Sequence, residues 1–179
     1  MLTATTRSTA RSKLLRVSPA DLHAALREPA EGELGPVFSP LAEVRFALGL
    51  ETIYEGYLVH YGRPRLHQPQ DGDTALVLGD YLYAQGLARI AAVGQVDAVS
   101  DLAELISVCA QTQADGRTGD GAAWAATAAV LGQGRLAEAR GALRRHGDPG
   151  PLEALARDSA GDEAVDRALE VHARRLGGG

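Results

Sequence analysis

The chain predicts an all-α fold, a helical bundle packed from small aliphatic side chains. Apolar residues recur at three- and four-residue spacing along most of its length, the period of a helix with one buried face. Pro, Gly, Ser and Asp fall where such helices should start and stop. Aromatics make up only 4% of residues, which disfavours a sheet built on aromatic and β-branched side chains. With 179 residues, one domain with room for an unpacked end is expected. The boundaries read from the sequence are a disordered basic tail over 1–17 and a single helical domain over 18–176. Within that domain, central helices occupy 41–114 and alanine-rich helices 122–176.

The tail, MLTATTRSTARSKLLRV, is rich in Ser and Thr, carries Arg7, Arg11, Lys13 and Arg16, and meets no acid before Asp21. It lacks the apolar run of a secretory signal and is similar to a short organellar transit peptide, although a plain disordered tail is the simpler reading. Ser18-Pro19 then signals a helix start, with Ser18 as cap and Leu22, Ala25 and Leu26 as the apolar edge. The Pro and Gly of Glu28–Pro36 predict a loop, and Ser39-Pro40 predicts the next start.

From Leu41 the stripe Leu41, Val44, Ala47, Leu48, Ile53, Tyr57 and Leu58 predicts one helix to about Val59. Gly62, Pro64, Pro69 and Gly72 predict a loop, and Asp73 or Thr74 is the expected cap of a long helix over 75–93. That helix is apolar on nearly every face, so it is expected inside the domain. Asp97 is the expected cap of the next, with Val99, Leu102, Ala103, Ile106, Cys109 and Ala110 as its buried stripe. DGRTGDG, 115–121, reads as a turn. Four shorter helices follow, over about 122–131, 135–145, 151–157 and 162–176.

A net charge of −5 supplies no field to hold a phosphate backbone, so nucleic acid is not an expected partner. No apolar run approaches the ~20 residues of a membrane span. Cys109 is the only cysteine, which rules out an internal disulfide and the usual zinc spacings and fits a cytoplasmic location.

The densest cluster of Gly, Arg, Pro and His lies in 51–91, and this stretch resembles the polyprenyl synthetase family, the trans-prenyl diphosphate synthases. ETIYEGYLVH, Glu51 to His60, is similar to the helix that precedes the family's first aspartate-rich motif, with Tyr54 where the family usually has His. Gly62-Arg63-Pro64-Arg65-Leu66-His67 resembles the element that follows that motif. Leu78-Gly79-Asp80-Tyr81-Leu82 resembles the Gly-Asp helix beyond it. The resemblance implies part of the isoprenoid synthase fold and a site for a prenyl diphosphate, with Arg63, Arg65 and His67 as the diphosphate-binding candidates.

One departure changes that implication. Between His60 and Gly62, where the family carries its first aspartate-rich motif and an arginine pair, this chain has only Tyr61. No Asp-Asp pair occurs anywhere, and the only lysine is Lys13. Ionising an allylic diphosphate needs its charge neutralised by metal ions on carboxylates. No metal site is therefore assigned, no cofactor is expected, and Mg²⁺ enters only if the site is functional.

Three functions remain open. The first is a non-catalytic or regulatory small subunit of a prenyl diphosphate synthase, bound to a protein partner or to copies of itself. The second is an active enzyme with an atypical diphosphate site. The third is an unrelated helical interaction module using 122–176. Among single residues, His60 is expected to meet its own helix end, Asp80 to need a buried partner, and Asp71 and Asp73 to serve a turn and a cap. Cys109, Trp124 and the tyrosines 54, 57, 61, 81 and 83 are expected in the core.

Overall fold

The helix expected after Ser18 forms over Pro19–Ala24 (α1), where the Ser18 and Asp21 side chains each accept a hydrogen bond from the other's backbone N–H. The computed structural model describes residues 18–28 and 35–177, so the expected tail over 1–17 and residues 29–34 of the expected loop lie outside the described residues. Among the described residues there are seven further α-helices: Ala47–Tyr61 (α2), Gly72–Ala92 (α3), Val96–Ala114 (α4), Asp120–Ala129 (α5), Ala137–His146 (α6), Gly150–Ala160 (α7) and Asp162–Leu176 (α8). The all-α expectation holds, and the described residues contain no strand beyond a single bridge between Leu26 and His67.

Two starts differ from the sequence reading. Ser39-Pro40 opens only a single 3₁₀ turn, because Ala42 is extended (φ −106°, ψ 164°) and a second 3₁₀ turn, Val44–Phe46, precedes α2. The Glu51 carboxylate, one turn inside α2, accepts from the backbone N–H groups of Val37, Phe38 and Ser39 at 2.8–3.0 Å and folds this segment back on the helix. Val44 and Leu48, read as buried, are therefore outside, at 90% and 68% exposed, while Phe46 and Leu50 fill the core. The cap of α3 is Asp71, whose side chain accepts from Thr74 N, rather than Asp73 or Thr74.

The placement of α3 and α5 is the larger correction. The long apolar α3 was expected inside, yet only one face of it is buried, through Leu78, Gly79, Leu82, Gly86 and Ile90, with Leu76 and Tyr81 in solvent. Much of its exposed side is alanine, at Ala84, Ala88, Ala91 and Ala92, which loses little by facing water. The helix at the centre is α5, where every residue from Asp120 to Ala128 is buried. It packs on α4, α7 and α8, so the alanine-rich helices do not form a separate stack, and one apolar cluster runs from Val37 to Ala168.

Helices α2 and α3 run antiparallel against each other at very short range, and glycine makes this possible. Gly49 and Gly56 lie seven residues apart on α2, as do Gly79 and Gly86 on α3. A Cβ on Gly56 would sit 2.9 Å from the Gly79 carbonyl oxygen, and one on Gly86 would sit 2.8 Å from that of Gly49. The spacing keeps both glycines of each helix on one stripe, so the backbones touch along two turns. On α4 the buried face is Ala98, Leu102, Leu105, Val108, Cys109 and Thr112, rotated from the expected stripe so that Asp101 reaches Arg140 of α6 at 3.1 Å.

Candidate functional site

The antiparallel contact of α2 and α3 forces the connection over 62–71 to turn sharply beside the C-terminal end of α8. Gly62 is part of that fit, since a Cβ there would lie 2.9 Å from the Arg175 carbonyl oxygen. Arg63 then closes α8: its backbone N–H donates to the Arg175 carbonyl at 2.9 Å and its guanidinium donates to the Arg174 carbonyl. A cation at this end also offsets the negative pole of the helix. Opposite, the chain after α1 pairs with the turn, Arg27 N–H to Leu66 O at 3.0 Å and Gln68 N–H to Ala25 O at 2.6 Å.

These three pieces enclose a cleft of about 760 Å³. Arg27, Arg63, Arg174 and Arg175 line it with His67, and no Asp or Glu does so among the described residues. Arg174 is also paired with Glu170 along its own helix at 2.5 Å, in an exposed setting. A smaller and mainly apolar hollow of about 220 Å³ lies against the same turn, lined in part by Leu48, Thr52, Leu66 and Leu82. Pro36 and His67 belong to the walls of both.

The three expected diphosphate-binding residues are divided by the structure. Arg63 and His67 line the cleft, while Arg65 is turned inward and is 5% exposed. Its guanidinium meets Glu51 Oε2 at 2.6 Å and Glu55 Oε2 at 3.0 Å, donates to the Gly35 and Glu51 carbonyls, and lies 5.3 Å from the Tyr54 ring centre. Glu55, 2% exposed, accepts through Oε1 from Leu66 N–H at 2.7 Å and meets His67 Nδ1 at 3.2 Å. Burial works against the Glu55 charge, but the His67 ring, the Leu66 N–H and the Arg65 guanidinium outweigh it and lower its pKa from 4.5 to about 2. A carboxylate only accepts, so Nδ1 of His67 carries the proton in this pair.

Sequence reasoning missed this ionic cluster, although it carried a signal. Glu55 stands between Tyr54 and Gly56 in the middle of an apolar helix, one turn from Glu51, and two carboxylates on one half-buried face call for a cation. It missed a second buried network as well. Asp120, at the first turn of α5, accepts from Tyr57 and from His172 Nε2 at 3.1 Å, and Gln113 Nε2 is 2.9 Å from the Tyr57 hydroxyl. The other ring nitrogen of His172 lies 3.0 Å from the Tyr54 hydroxyl. Burial opposes ionisation of Asp120, and the bonds from His172 and Tyr57 overcome it and hold its pKa below the ordinary value. Trp124 and Phe38 pack over these rings, with Phe38 stacked 5.5 Å from Trp124. The network joins α2, α4, α5 and α8 through the core.

The remaining candidates fall in several places. Asp71 caps α3, and Asp80 is exposed and 3.3 Å from His60 Nε2 rather than buried. The His60 ring lies on Gly79, the position at which α3 has no side chain, instead of bonding a helix-end carbonyl. Among the described residues, Asp71, Asp73 and Asp80 do not converge with other acids, His or Cys in a metal-holding group. Cys109 is buried, which pushes its thiol pKa well up. Tyr54 and Tyr57 are in the core, whereas Tyr61 and Tyr81 face solvent. Among the described residues no helix is long and apolar enough to cross a membrane.

Comparison with protein-family models, with curated proteins and with solved structures gives no match.

Proposed function

We propose that the protein binds a phosphorylated small molecule in the cleft between the 62–68 turn and the end of α8. The observation that carries this reading is the convergence of Arg63 and Arg174, with Arg27, Arg175 and His67, on one concave surface. Guanidinium groups suit phosphate oxygens because their forked N–H donors match them in pairs. Glu51 and Glu55, on the α2 side of the turn, are occupied by Arg65 and His67. The apolar hollow sharing Pro36 and His67 suits a ligand with a short hydrocarbon arm, and a prenyl diphosphate, which the resemblance implies, is the form to test first.

Isothermal titration calorimetry with inorganic pyrophosphate and with a short prenyl diphosphate tests this. Arg174 is the residue to change, because it is exposed and its backbone rather than its side chain holds Arg63. Binding in the micromolar to low millimolar range is expected, weakened by salt and by about 3- to 10-fold in Arg174→Ala. No heat at millimolar ligand, or equal affinity in Arg174→Ala, overturns it.

A second reading, the regulatory small subunit of a prenyl diphosphate synthase, is favoured by the apolar side chains exposed on α2 and α3, among them Leu48, Leu76 and Tyr81. Co-expression with a full-length synthase followed by size-exclusion chromatography tests it. Failure to co-elute, together with an unchanged product length, counts against it.

A further inference from the structure

The ring of His67 has one nitrogen fixed and one left over. Nδ1 is committed to Glu55 Oε1 at 3.2 Å, and Nε2 has no partner among the described residues. The residue is 8% exposed, and what it does expose contributes to the walls of the cleft and the hollow. Since Nδ1 holds a proton against the Glu55 carboxylate, a neutral ring presents a bare lone pair at Nε2. A lone pair repels a phosphate oxygen. Only the imidazolium form presents Nε2–H as a donor.

We infer that His67 is a specificity-determining contact of this cleft, which donates Nε2–H to a bound anion only as imidazolium, so that binding takes up a proton from solvent. This rests on the anion-binding reading above and adds to it a preference for doubly charged phosphates. The proton bound at Nε2 comes from buffer, the Nδ1–H···Glu55 bond is kept, and no covalent bond changes. The charges facing the ring set the balance. Glu55 of α2 stabilises a positive ring at Nδ1. On the same turn, Arg65 lies beyond Glu55 and is paired with Glu51, which lines the hollow with His67, and Arg63 lines the cleft; Arg27 enters from the segment after α1, and Arg174 and Arg175 from α8. A bound dianion favours a positive ring beside it, so its binding and the protonation of His67 reinforce each other.

The test uses inorganic sulfate, a tetrahedral dianion that does not itself titrate near neutrality, with pyrophosphate as a second probe. Calorimetric titration of the full chain in buffers of different ionisation enthalpy counts the protons taken up. Uptake approaching about one proton per sulfate near pH 7.5 is expected, with affinity falling about tenfold or more between pH 5.5 and pH 8. Two variants separate the ligand role from the packing role. His67→Asn places an amide near Nδ1 and leaves nothing at Nε2, so it should lose proton uptake and bind at least several-fold more weakly. His67→Gln places an amide near Nε2 and should bind with little pH dependence. Binding by the wild type without proton uptake, or unchanged uptake in His67→Asn, overturns the inference and leaves the anion-binding reading standing. If neither probe binds, both fall.

Discussion

Replacing Glu55 by Gln tests the ionic cluster that fixes the turn. The substitution keeps the size of the side chain, removes its charge, and sets an amide N–H₂ or a weaker carbonyl acceptor against the Arg65 Nε–H, 3.0 Å away in the wild type. The carboxylate is 2% exposed, so solvent screens little of the loss. Its pKa is lowered from 4.5 to about 2, and each tenfold change in proton affinity corresponds to about 1.36 kcal/mol, so the charged form contributes about 3 kcal/mol above pH 5. That agrees with the ~3–5 kcal/mol typical of breaking a buried ion pair by removing one partner. Because the folded-state pKa is the depressed one, this stability is complete above 4.5 and is lost as the pH falls towards about 2. Urea unfolding followed by circular dichroism, for both proteins from pH 7 to pH 2.5, isolates the effect as a difference. Glu55→Gln should be less stable by about 3 kcal/mol at pH 7, and somewhat more than half of that gap should have closed by about pH 3. A gap below about 1 kcal/mol at pH 7, or one that stays constant between pH 6 and pH 3, refutes the reasoning.

Three further outcomes are expected. Gly56→Ala drives a methyl group to 2.9 Å from a backbone oxygen of α3, and thermal melts should show a loss of about 1–3 kcal/mol despite the better helix propensity of alanine, whereas Gly72→Ala, with open space around it, should be close to neutral. Tyr57→Phe removes a donor to Asp120 in the core, so denaturant unfolding should register a loss of about 1–3 kcal/mol, larger near neutral pH than in acid because the unpaired partner is a carboxylate whose pKa the network holds down. Leu48→Gln, at a position that periodicity places in the core, should change stability by less than about 0.5 kcal/mol because the side chain is 68% exposed.

The elements were legible where one local signal decides the outcome. Ser18-Pro19 announced α1 and its cap, Asp162–Leu176 was read to its observed bounds, and the chain leaves the helix at Gly62, Pro64 and 115–119, although Asp120 and Gly121, read as the end of that second break, already belong to α5. Misreadings arose where a residue distant in sequence intervened. Nothing near Ser39 says that Glu51 will hold three backbone N–H groups there, so the start of α2 was placed too early and Val44 was assigned to the core. The glycines 49, 56, 79 and 86 were visible at seven-residue spacing, but only pairing α2 against α3 turns that spacing into contact.

What the sequence determined by itself is the helical class, most of the helix ends and a basic turn at 63–67, because capping, periodicity and turn chemistry act within a few residues of chain. Tertiary structure alone decided which helix is central, since α3 and α5 are both apolar and only packing separates them. It also decided that Arg65 faces Glu51 and Glu55 while Arg63 and His67 face a cleft shared with α8. The direction of a charged side chain follows the opposite charges, carbonyl oxygens and water it can reach, and these are set by residues as far as 111 positions away, as between the Arg63 guanidinium and the Arg174 carbonyl.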